Sequence, residues 1–338
     1  IFVSHPIFEM NKNMIMKGVG DAKIVLITEY GESVPIGQWS ALSLPIHAIS
    51  IADVLNRKSD RYSYNFREES VVRFTAPDAN VLIVDDINTN LKVANGLMLP
   101  YSMNVELCGS GMEAIEAVKR KRYDIVFMDH RMPGVDGVEA TARIRKMGEE
   151  DPYFTEVPII ALTANAVVGV REMFLSNGFN EFMSKPIDTV RLNTILEKFV
   201  PKEKQIGFTT ATRPSKKANE KLVIDGVDVD RGIMLTGGAK ELYIETLTAF
   251  FADGTNLIDE IEKCVGSDDM NLYATYIHAI KSACATIGAI KVSDTAYALE
   301  LAANENNVEF INKNNDSFMD QLGQLLVNID GALAIHKR

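Results

Sequence analysis

Two patterns of apolar residues divide the chain. Between residues 79 and 200, short and nearly continuous apolar runs such as NVLIVDD, YDIVFMD and VPIIALTA alternate with stretches of helical period such as GMEAIEAVKR and TVRLNTILEKFV. Strands that are apolar on both faces and alternate with helices predict a buried parallel sheet with helices on both sides. We therefore expect five strands and five helices here, in a doubly wound α/β domain.

The region from residue 222 to residue 338 shows the helical period alone. Its long amphipathic stretches are separated by short breaks with Gly or Asp, and they cover 228–235, 239–265, 268–287, 291–304 and 308–335. This pattern predicts an all-α helical bundle. The segment between the two regions, 201–221, is polar, contains two prolines and has no apolar period. We predict that it is a linker.

The first 75 residues resemble the back half of the α/β region. FVSHPIFEM aligns with FMDHRMPGV, which places Ser4 over Asp129, and LSLPIHAISIADVL aligns with MSKPIDTVRLNTIL, which places Leu44 over Lys185. KIVLITEYGE aligns with PIIALTANAV between them. We interpret this order as a truncated, degenerate second copy followed by a connector, although a chance likeness between strand–helix stretches is the alternative. An exposed apolar edge on such a half-domain would favour self-association.

The composition excludes several classes of protein. A hydrophobic share of 46% and a charged share of 24% are typical of soluble globular domains, and no apolar run has the length of a membrane span. Cys108, Cys264 and Cys284 have no paired spacing, which indicates reduced thiols and a cytoplasmic location. The net charge is −11 and the last region is strongly acidic, which argues against nucleic acid as a direct partner. Because the chain begins without Met, we expect it to be part of a longer protein.

Polar side chains stand at the ends of four predicted strands. Asp85 and Asp86 end the first strand, Asp129 the third, Thr163 the fourth and Lys185 the fifth. The carboxyl ends of parallel strands meet at one edge of the sheet, where open α/β sheets bind ligands. Three carboxylates there repel one another unless a cation joins them, and oxygen ligands without Cys or His select a hard ion such as Mg²⁺. With an ammonium and a hydroxyl available for phosphoryl oxygens, and a carboxylate able to attack phosphorus, the pocket suits phosphoryl transfer.

The helical region carries a histidine in the stretch HAIKSACATIGA. At 100° per residue, Ile277 and Ile280 lie on the apolar stripe of this helix, whereas His278 lies among small and polar residues. We therefore expect an exposed imidazole, with Lys281 one turn along. No second His or carboxylate stands at helical spacing, which argues against a metal ligand. An exposed neutral imidazole beside an ammonium suits a carrier of phosphoryl groups.

The α/β region resembles the receiver domain of two-component signalling, which has a flavodoxin-like fold. The resemblance rests on the acidic pair, on DHRMPGVDG after the third strand, on TANA after the fourth and on F-x-x-K-P at the fifth. It implies that Asp129 is the phosphoacceptor, and that Asp85, Asp86, Asp129 and the backbone carbonyl of Arg131 bind Mg²⁺. The side chains that end the fourth and fifth strands would contact the phosphoryl group.

The helical region resembles the histidine phosphotransfer (Hpt) domain, a four-helix bundle. The motif of that family is H-x-x-K-G followed by a later Gly, and here it is formed by His278, Lys281, Ser282 and Gly288. Ser282 departs from the usual Gly but is still small. The resemblance implies that His278 carries a phosphoryl group and that Lys281 offsets its charge.

The order of regions resembles the C-terminal part of a hybrid sensor histidine kinase. The domains would then be a truncated receiver-like segment with its connector, a receiver domain, a linker and an Hpt domain, at 1–75, 78–200, 201–221 and 222–338. The implied reaction is a relay, in which an upstream phosphohistidine of the same or a sister chain gives its phosphoryl group to Asp129. Asp129 passes it to His278, which hands it to a downstream response-regulator receiver. No Gly-rich nucleotide loop is found, so this segment is not expected to be a kinase itself.

Two other functions stay open at this point. A docking scaffold would keep the same fold with both phosphorylation sites idle. A Mg²⁺-dependent phosphatase of the haloacid dehalogenase type would use a strand-end Asp as nucleophile with a second Asp two positions on. Asn88 stands two positions after Asp86, which departs from that pattern.

Overall fold

The computed structural model of the chain divides into two units, Ile1–Val71 and Val72–Arg338. It describes residues 1–18, 24–28, 39–43, 72, 74–163, 170–207, 222–265 and 269–336.

The N-terminal unit contains a small parallel sheet. Its elements are β1 (Phe2–Ser4), α1 (His5–Gly18), β2 (Ile24–Thr28) and β3 (Trp39–Ser43). The strands pair in parallel in the order β1-β2-β3, and Phe8, Ile24 and Leu26 form their buried core. Ser4 ends β1, but Leu44 lies outside the described residues. The interpretation of this unit as a degenerate second copy stays a prediction.

The second unit begins with the predicted α/β domain. After the short strand β4 (Phe74–Thr75), its sheet consists of β5 (Asn80–Val84), β6 (Asn104–Cys108), β7 (Ile125–Asp129), β8 (Ile159–Thr163) and β9 (Glu181–Ser184). The strand order is β6-β5-β7-β8-β9, and all four pairings are parallel. The predicted doubly wound five-stranded sheet is therefore confirmed.

Helices cover both faces of this sheet. They are α2 (Asn88–Met98), α3 (Gly111–Arg120), α4 (Gly137–Lys146), the single turn α5 (Tyr153–Glu156), α6 (Val170–Ser176) and α7 (Thr189–Phe199). The continuous apolar strands pack against helices on each side, which gives two separate hydrophobic cores. The sheet therefore holds the carboxyl ends of its strands rigidly at one edge.

The start of the predicted linker belongs to the α/β domain. A 3₁₀ turn at Lys202–Lys204 leads into β10 (Ile206–Gly207), which pairs antiparallel with β4. The Lys204 ammonium binds both carboxylate oxygens of Asp124 at 2.8 Å. The lack of an apolar period over 201–221 therefore did not mean a lack of structure up to residue 207.

The helical domain follows, and its elements lie close to the predicted ranges. They are α8 (Val229–Leu235), α9 (Lys240–Val265), α10 (Met270–Ile287), α11 (Ile290–Asn304) and α12 (Val308–His336). Ile277 and Ile280 are fully buried, as the stripe on α10 predicted. Gly288, in the left-handed conformation, ends α10. Among the described residues, no helix has both the length and the hydropathy needed to cross a bilayer.

The two domains of the second unit pack against each other through α2. This helix contacts α9 and α10 of the helical domain. Ile87, which precedes α2, is buried within the hydrophobic core of the helical domain. Gly96, on α2, faces the side chain of Leu242 on α9. This packing places the edge of the sheet that carries the acidic residues next to α10.

Candidate functional site

The acidic residues predicted at the strand ends lie together. Asp85 and Asp86 follow β5, Asp129 ends β7, and oxygen atoms of the three carboxylates lie within 4.8 Å of one another. The side chains of Asp85 and Asp129 are almost completely buried. Three buried carboxylates this close resist full ionisation, because burial and mutual repulsion both disfavour the charged form.

Lys185 provides the positive charge of this pocket. Its ammonium, which is also buried, donates to Asp85 Oδ2 at 2.5 Å and to Asp129 Oδ2 at 2.6 Å. It follows β9, and the Lys185–Pro186 peptide bond is cis. Thr163 ends the neighbouring β8, is buried, and accepts the backbone N–H of Lys185 at its carbonyl. All five side chains predicted from the strand ends therefore stand at one edge of the sheet.

The Lys185 ammonium affects the pKa values of the three acids unequally. Burial raises the pKa of Asp85 to about 6, despite the neighbouring Lys185. Burial, together with the adjacent carboxylates, also raises the pKa of Asp86 well above its ordinary value. Burial alone would raise the pKa of Asp129, but Lys185 and His130 outweigh it and hold that pKa below its usual range. Of the three acids, Asp129 is therefore the one that ionises most readily.

The donor set fits a hard divalent cation. Asp86 Oδ1 is buried and has no hydrogen-bond partner, although a carboxylate oxygen normally accepts one or more. A cation with carboxylate and carbonyl ligands would satisfy this oxygen and offset the excess negative charge, and Mg²⁺ prefers such ligands. The acidic cluster is thus of the kind that holds Mg²⁺ in receiver domains.

The loop after β7 approaches the start of α4 very closely, and this explains a glycine in DHRMPGVDG. A Cβ atom on Gly137 would lie 1.9 Å from the carbonyl oxygen of Asp129 and 2.9 Å from the Cα of His130. Both atoms belong to the backbone, so no side-chain rotation relieves the clash. The glycine is therefore required for the position of Asp129 itself.

We expect Gly137→Ala to lower the free energy of unfolding by about 1–3 kcal/mol or more, because overpacking against backbone forces the loop to move. Urea unfolding monitored by circular dichroism measures this change. Gly323→Ala is the matched control, since a Cβ at that helical position meets nothing within 4 Å. The control is expected to be neutral or to stabilise by up to about 1 kcal/mol. Equal midpoints for the Gly137→Ala variant and the wild-type chain would contradict the argument.

His278 differs from its prediction in one respect, because it is buried and not exposed. Only 3% of its surface is accessible. The helical count was correct in placing it off the apolar stripe, but the α/β domain covers that face of α10. The ring of His130 packs edge-on against the ring of His278, with centroids 5.4 Å apart. Thr286, also on α10, lines a small cavity together with Asp85 and Lys185.

Glu300, which the sequence did not single out, binds the histidine. Its Oε1 lies 2.6 Å from His278 Nδ1, and its Oε2 accepts from the Lys281 ammonium at 2.5 Å. Burial would raise the pKa of Glu300, but these two partners lower it to about 2. Glu300 is therefore ionised and can only accept hydrogen bonds. Lys281, predicted as a free counter-charge for a phosphoryl group, is already paired and is buried.

These contacts determine which nitrogen of His278 carries the proton. Because Glu300 only accepts, Nδ1 must be the donor. Burial lowers the pKa of His278 below its ordinary value of 6.5, so the ring is neutral at pH 7 and Nε2 carries a lone pair. Nε2 is buried and has no hydrogen-bond partner. The ring of His278 packs against that of His130, the residue that directly follows Asp129.

Arg131 joins the two domains at the same place. Its guanidinium donates to Glu300 Oε1 at 3.0 Å and to Asn304 Oδ1 at 3.1 Å. Its backbone N–H lies 3.5 Å from Asp129 Oδ1. The sequence predicted only a carbonyl ligand at Arg131 and missed the role of its side chain. A signal for Glu300 did exist, because it is an acid within the apolar stretch ALELAA.

Comparison with known proteins agrees with this architecture. The response regulator receiver domain family matches residues 81–197, and the Hpt domain family matches residues 245–332. The signal transduction histidine-protein kinase BarA of Escherichia coli (strain K12) is 29% identical over 226 residues, which are 65% of this chain and 23% of BarA. The hybrid signal transduction histidine kinase M of Dictyostelium discoideum is 38% identical over 122 residues, 36% of this chain and 5% of that protein.

A solved structure also resembles part of the chain. The receiver domain of a sensor histidine kinase from Pseudomonas aeruginosa PAO1, with a magnesium ion coordinated in its active site cleft, is 36% identical. It covers 36% of this chain and 97% of its own, with a TM-score of 0.33.

The chain therefore combines a response regulator receiver domain with an Hpt domain, and it is homologous to the C-terminal parts of hybrid histidine kinases. It spans about a quarter of the length of the bacterial relatives that it matches.

Proposed function

We propose that the docked receiver and Hpt domains exchange a phosphoryl group between Asp129 and His278. The observation that carries the proposal is the buried Nε2 of His278. It has a lone pair and no partner, and it belongs to a ring packed against the loop that follows Asp129. A buried nitrogen without a partner costs free energy, and a phosphorus atom held by the neighbouring carboxylate gives it a partner.

The transfer balances without an external acid or base. The lone pair of His278 Nε2 forms the new N–P bond, while the O–P bond to Asp129 breaks and its electron pair returns to the carboxylate. Nδ1 keeps its proton throughout, because the ionised carboxylate of Glu300 accepts the hydrogen bond that Nδ1–H donates. Lys185, which holds Asp129 Oδ2, stabilises the carboxylate that is released. Thr163 supplies a hydroxyl at the end of the neighbouring strand. The reverse transfer uses the same groups.

Mg²⁺ is the cofactor that we assign to the acidic cluster. Asp85, Asp86, Asp129 and the backbone carbonyl of Arg131 would hold it, and when bound it neutralises charge on the phosphoryl oxygens. The support is the donor set and the orphaned Asp86 oxygen. Each residue of the set has oxygen as its ligand atom, as this ion prefers.

The partners that we propose follow from the two domains. A phosphohistidine of an upstream histidine kinase, in the same or a sister chain, phosphorylates Asp129, and a downstream response-regulator receiver takes the group from His278. The reactions would take place in the cytoplasm, where the three buried cysteines, which form no disulfide, would stay reduced. Asn88, where the phosphatase alternative needs an acid, instead donates to Asp253. No contact in the described site favours that alternative.

The test uses the full chain, a small phosphodonor such as acetyl phosphate, and Mg²⁺. We expect two kinds of label on the wild-type chain, one base-labile on Asp129 and one acid-labile on His278. In His278→Gln only the base-labile label should remain, and chelation of Mg²⁺ with EDTA should prevent both. An acid-labile fraction that survives in His278→Gln would overturn the assignment of the carrier. A folded wild-type chain that takes no label with Mg²⁺ would support the docking scaffold.

A further inference from the structure

Asp253 is a buried acid of the Hpt domain whose hydrogen bonds go to the receiver domain. Its Oδ1 accepts from the side-chain amide of Asn88 at 3.0 Å. Its Oδ2 accepts from both the backbone N–H and the hydroxyl of Thr89, each at 2.7 Å. Thr89 is fully buried and Asp253 is 6% exposed. A carboxylate on α9 is thus held by three donors from the first turn of α2.

The receiver domain does not cap this helix itself. Ile87 occupies the N-cap position of α2 and makes no side-chain hydrogen bond there, and the first turn has no acidic residue. Three other helices of the same domain, α3, α4 and α7, are capped by their own Ser110, Asp136 and Asp188. Free N–H groups and the helix dipole make the start of α2 favourable for an anion. The Hpt domain supplies that anion.

The location of this contact ties it to the chemistry. The helix α2 begins two residues after Asp86, so its first turn and the acidic pair move together. Asp253 lies on α9, which packs directly against α10 and therefore against the helix of His278. A contact at the start of α2 therefore fixes the position of the acidic pair, which follows β5, relative to the ring of His278. Glu300, through Arg131, makes a second contact between the two domains.

We propose that Asp253 is the residue by which the Hpt domain selects its receiver partners, capping the first receiver helix from outside. The kind of partner that fits is a receiver whose first helix has no side-chain cap of its own and carries a hydroxyl at the position of Thr89. A downstream regulator that receives the phosphoryl group from His278 is expected to meet the same requirement. This proposal rests on the proposed function only where it concerns transfer, because the cap itself is a docking contact.

The test compares full-length Asp253→Ala and Thr89→Val chains with the wild type. Thr89→Val mimics a receiver without the hydroxyl and keeps the backbone N–H. The first readout is amide hydrogen exchange over residues 88–92, which needs no phosphorylation. We expect exchange at Thr89 to become about 10- to 100-fold faster in Asp253→Ala, since a hydrogen bond to a charged acceptor is lost, and to increase less in Thr89→Val. Asp259→Asn, an exposed acid on the same helix, is the matched control and should exchange as the wild type does.

The second readout is single-turnover transfer from phosphorylated Asp129 to His278. We expect both variants to slow it, and their double variant to be slowed less than the product of the two effects, because they act on one contact. Circular dichroism checks that each variant is folded. Wild-type exchange at Thr89 in a folded Asp253→Ala chain would overturn the cap, and wild-type transfer rates in both variants would overturn the selection. If the wild-type chain itself transfers nothing, the proposed function fails, while the exchange data still decide whether Asp253 docks the receiver.

Discussion

Replacing Asp129 with Asn is expected to remove phosphoryl uptake from a small donor down to background, a loss of more than about 10³-fold. An amide is not a nucleophile towards phosphorus under these conditions, and it removes the one carboxylate of the cluster whose pKa lies below its ordinary range. His278 should also stay unlabelled, because in the proposed relay a small donor reaches it only through Asp129. The measurement is the amount of label per chain after incubation with acetyl phosphate and Mg²⁺.

The control for this variant is Asp78→Asn, an exposed acid outside the pocket, which should label as the wild type does. The substituted pocket should remain folded, because Lys185 keeps its contact with Asp85. Persistent base-labile label in Asp129→Asn would mean that Asp85 or Asp86 accepts the group instead. Acid-labile label alone would mean that His278 reacts with the donor directly, and the order of the relay would be wrong.

Replacing Glu300 with Leu should have the second large effect. The change removes the acceptor of three donors, namely Nδ1 of His278, the Lys281 ammonium and Nη1 of Arg131, whose Nη2 keeps its bond to Asn304. Removing one partner of a buried ion pair costs about 3–5 kcal/mol of stability. Because nothing then fixes the proton on Nδ1, we also expect transfer between Asp129 and His278 to fall by up to about 10⁴-fold, as when a group that fixes a histidine tautomer is lost. Urea unfolding and single-turnover transfer measure the two effects.

The conservative Glu300→Gln variant separates position from charge. Its amide oxygen still accepts from Nδ1, so transfer should be largely restored relative to Leu. Glu300 raises the pKa of His278 against the larger effect of burial, so the pKa of the ring should fall further below 6.5 in this variant. Because the pKa of His278 in the folded chain lies below its ordinary value, the free energy of unfolding decreases as the pH falls below 6.5. The Glu300→Gln change should make this decrease larger. NMR titration of the imidazole measures the shift.

The exposed Glu305, at the end of the same helix, provides the control variant Glu305→Gln. It should change neither the titration of His278 nor the rate of transfer. If Glu300→Leu were folded and transferred at the wild-type rate, Glu300 would be a structural residue only. A higher pKa of His278 in Glu300→Gln would contradict the inference that the charge of Glu300 stabilises the protonated ring.

The patterns of neighbouring residues along the chain predicted the strands, the helices and the polar residues at the strand ends. Continuous apolar runs predicted the parallel sheet, because a strand that is buried on both faces must carry apolar side chains on both. The position of polar residues directly after those runs then predicted that Asp129 and Lys185 meet, since parallel strands end at one edge. The helical period likewise separated Ile277 and Ile280 from His278.

What the sequence did not reveal depends on contacts between distant segments. His278 is buried because another domain covers it, and no periodicity within α10 contains that information. Glu300 reaches the ring from α11, so the search for a carboxylate at helical spacing along α10 missed it. Asp253 was not singled out, because its partners lie more than 160 residues away along the chain.

The burial of Ile87 affects how often the receiver and Hpt domains separate. The side chain immediately follows the acidic pair, yet it is buried in the core of the Hpt domain. Each time the domains separate so that His278 can meet another receiver, this side chain must enter water, at a cost of about 1.5–3 kcal/mol. That cost corresponds to about a tenfold to hundredfold shift towards the closed pair. We therefore expect only a small open fraction of the chains to be available to a downstream regulator, so that its phosphorylation is slowed by about this factor.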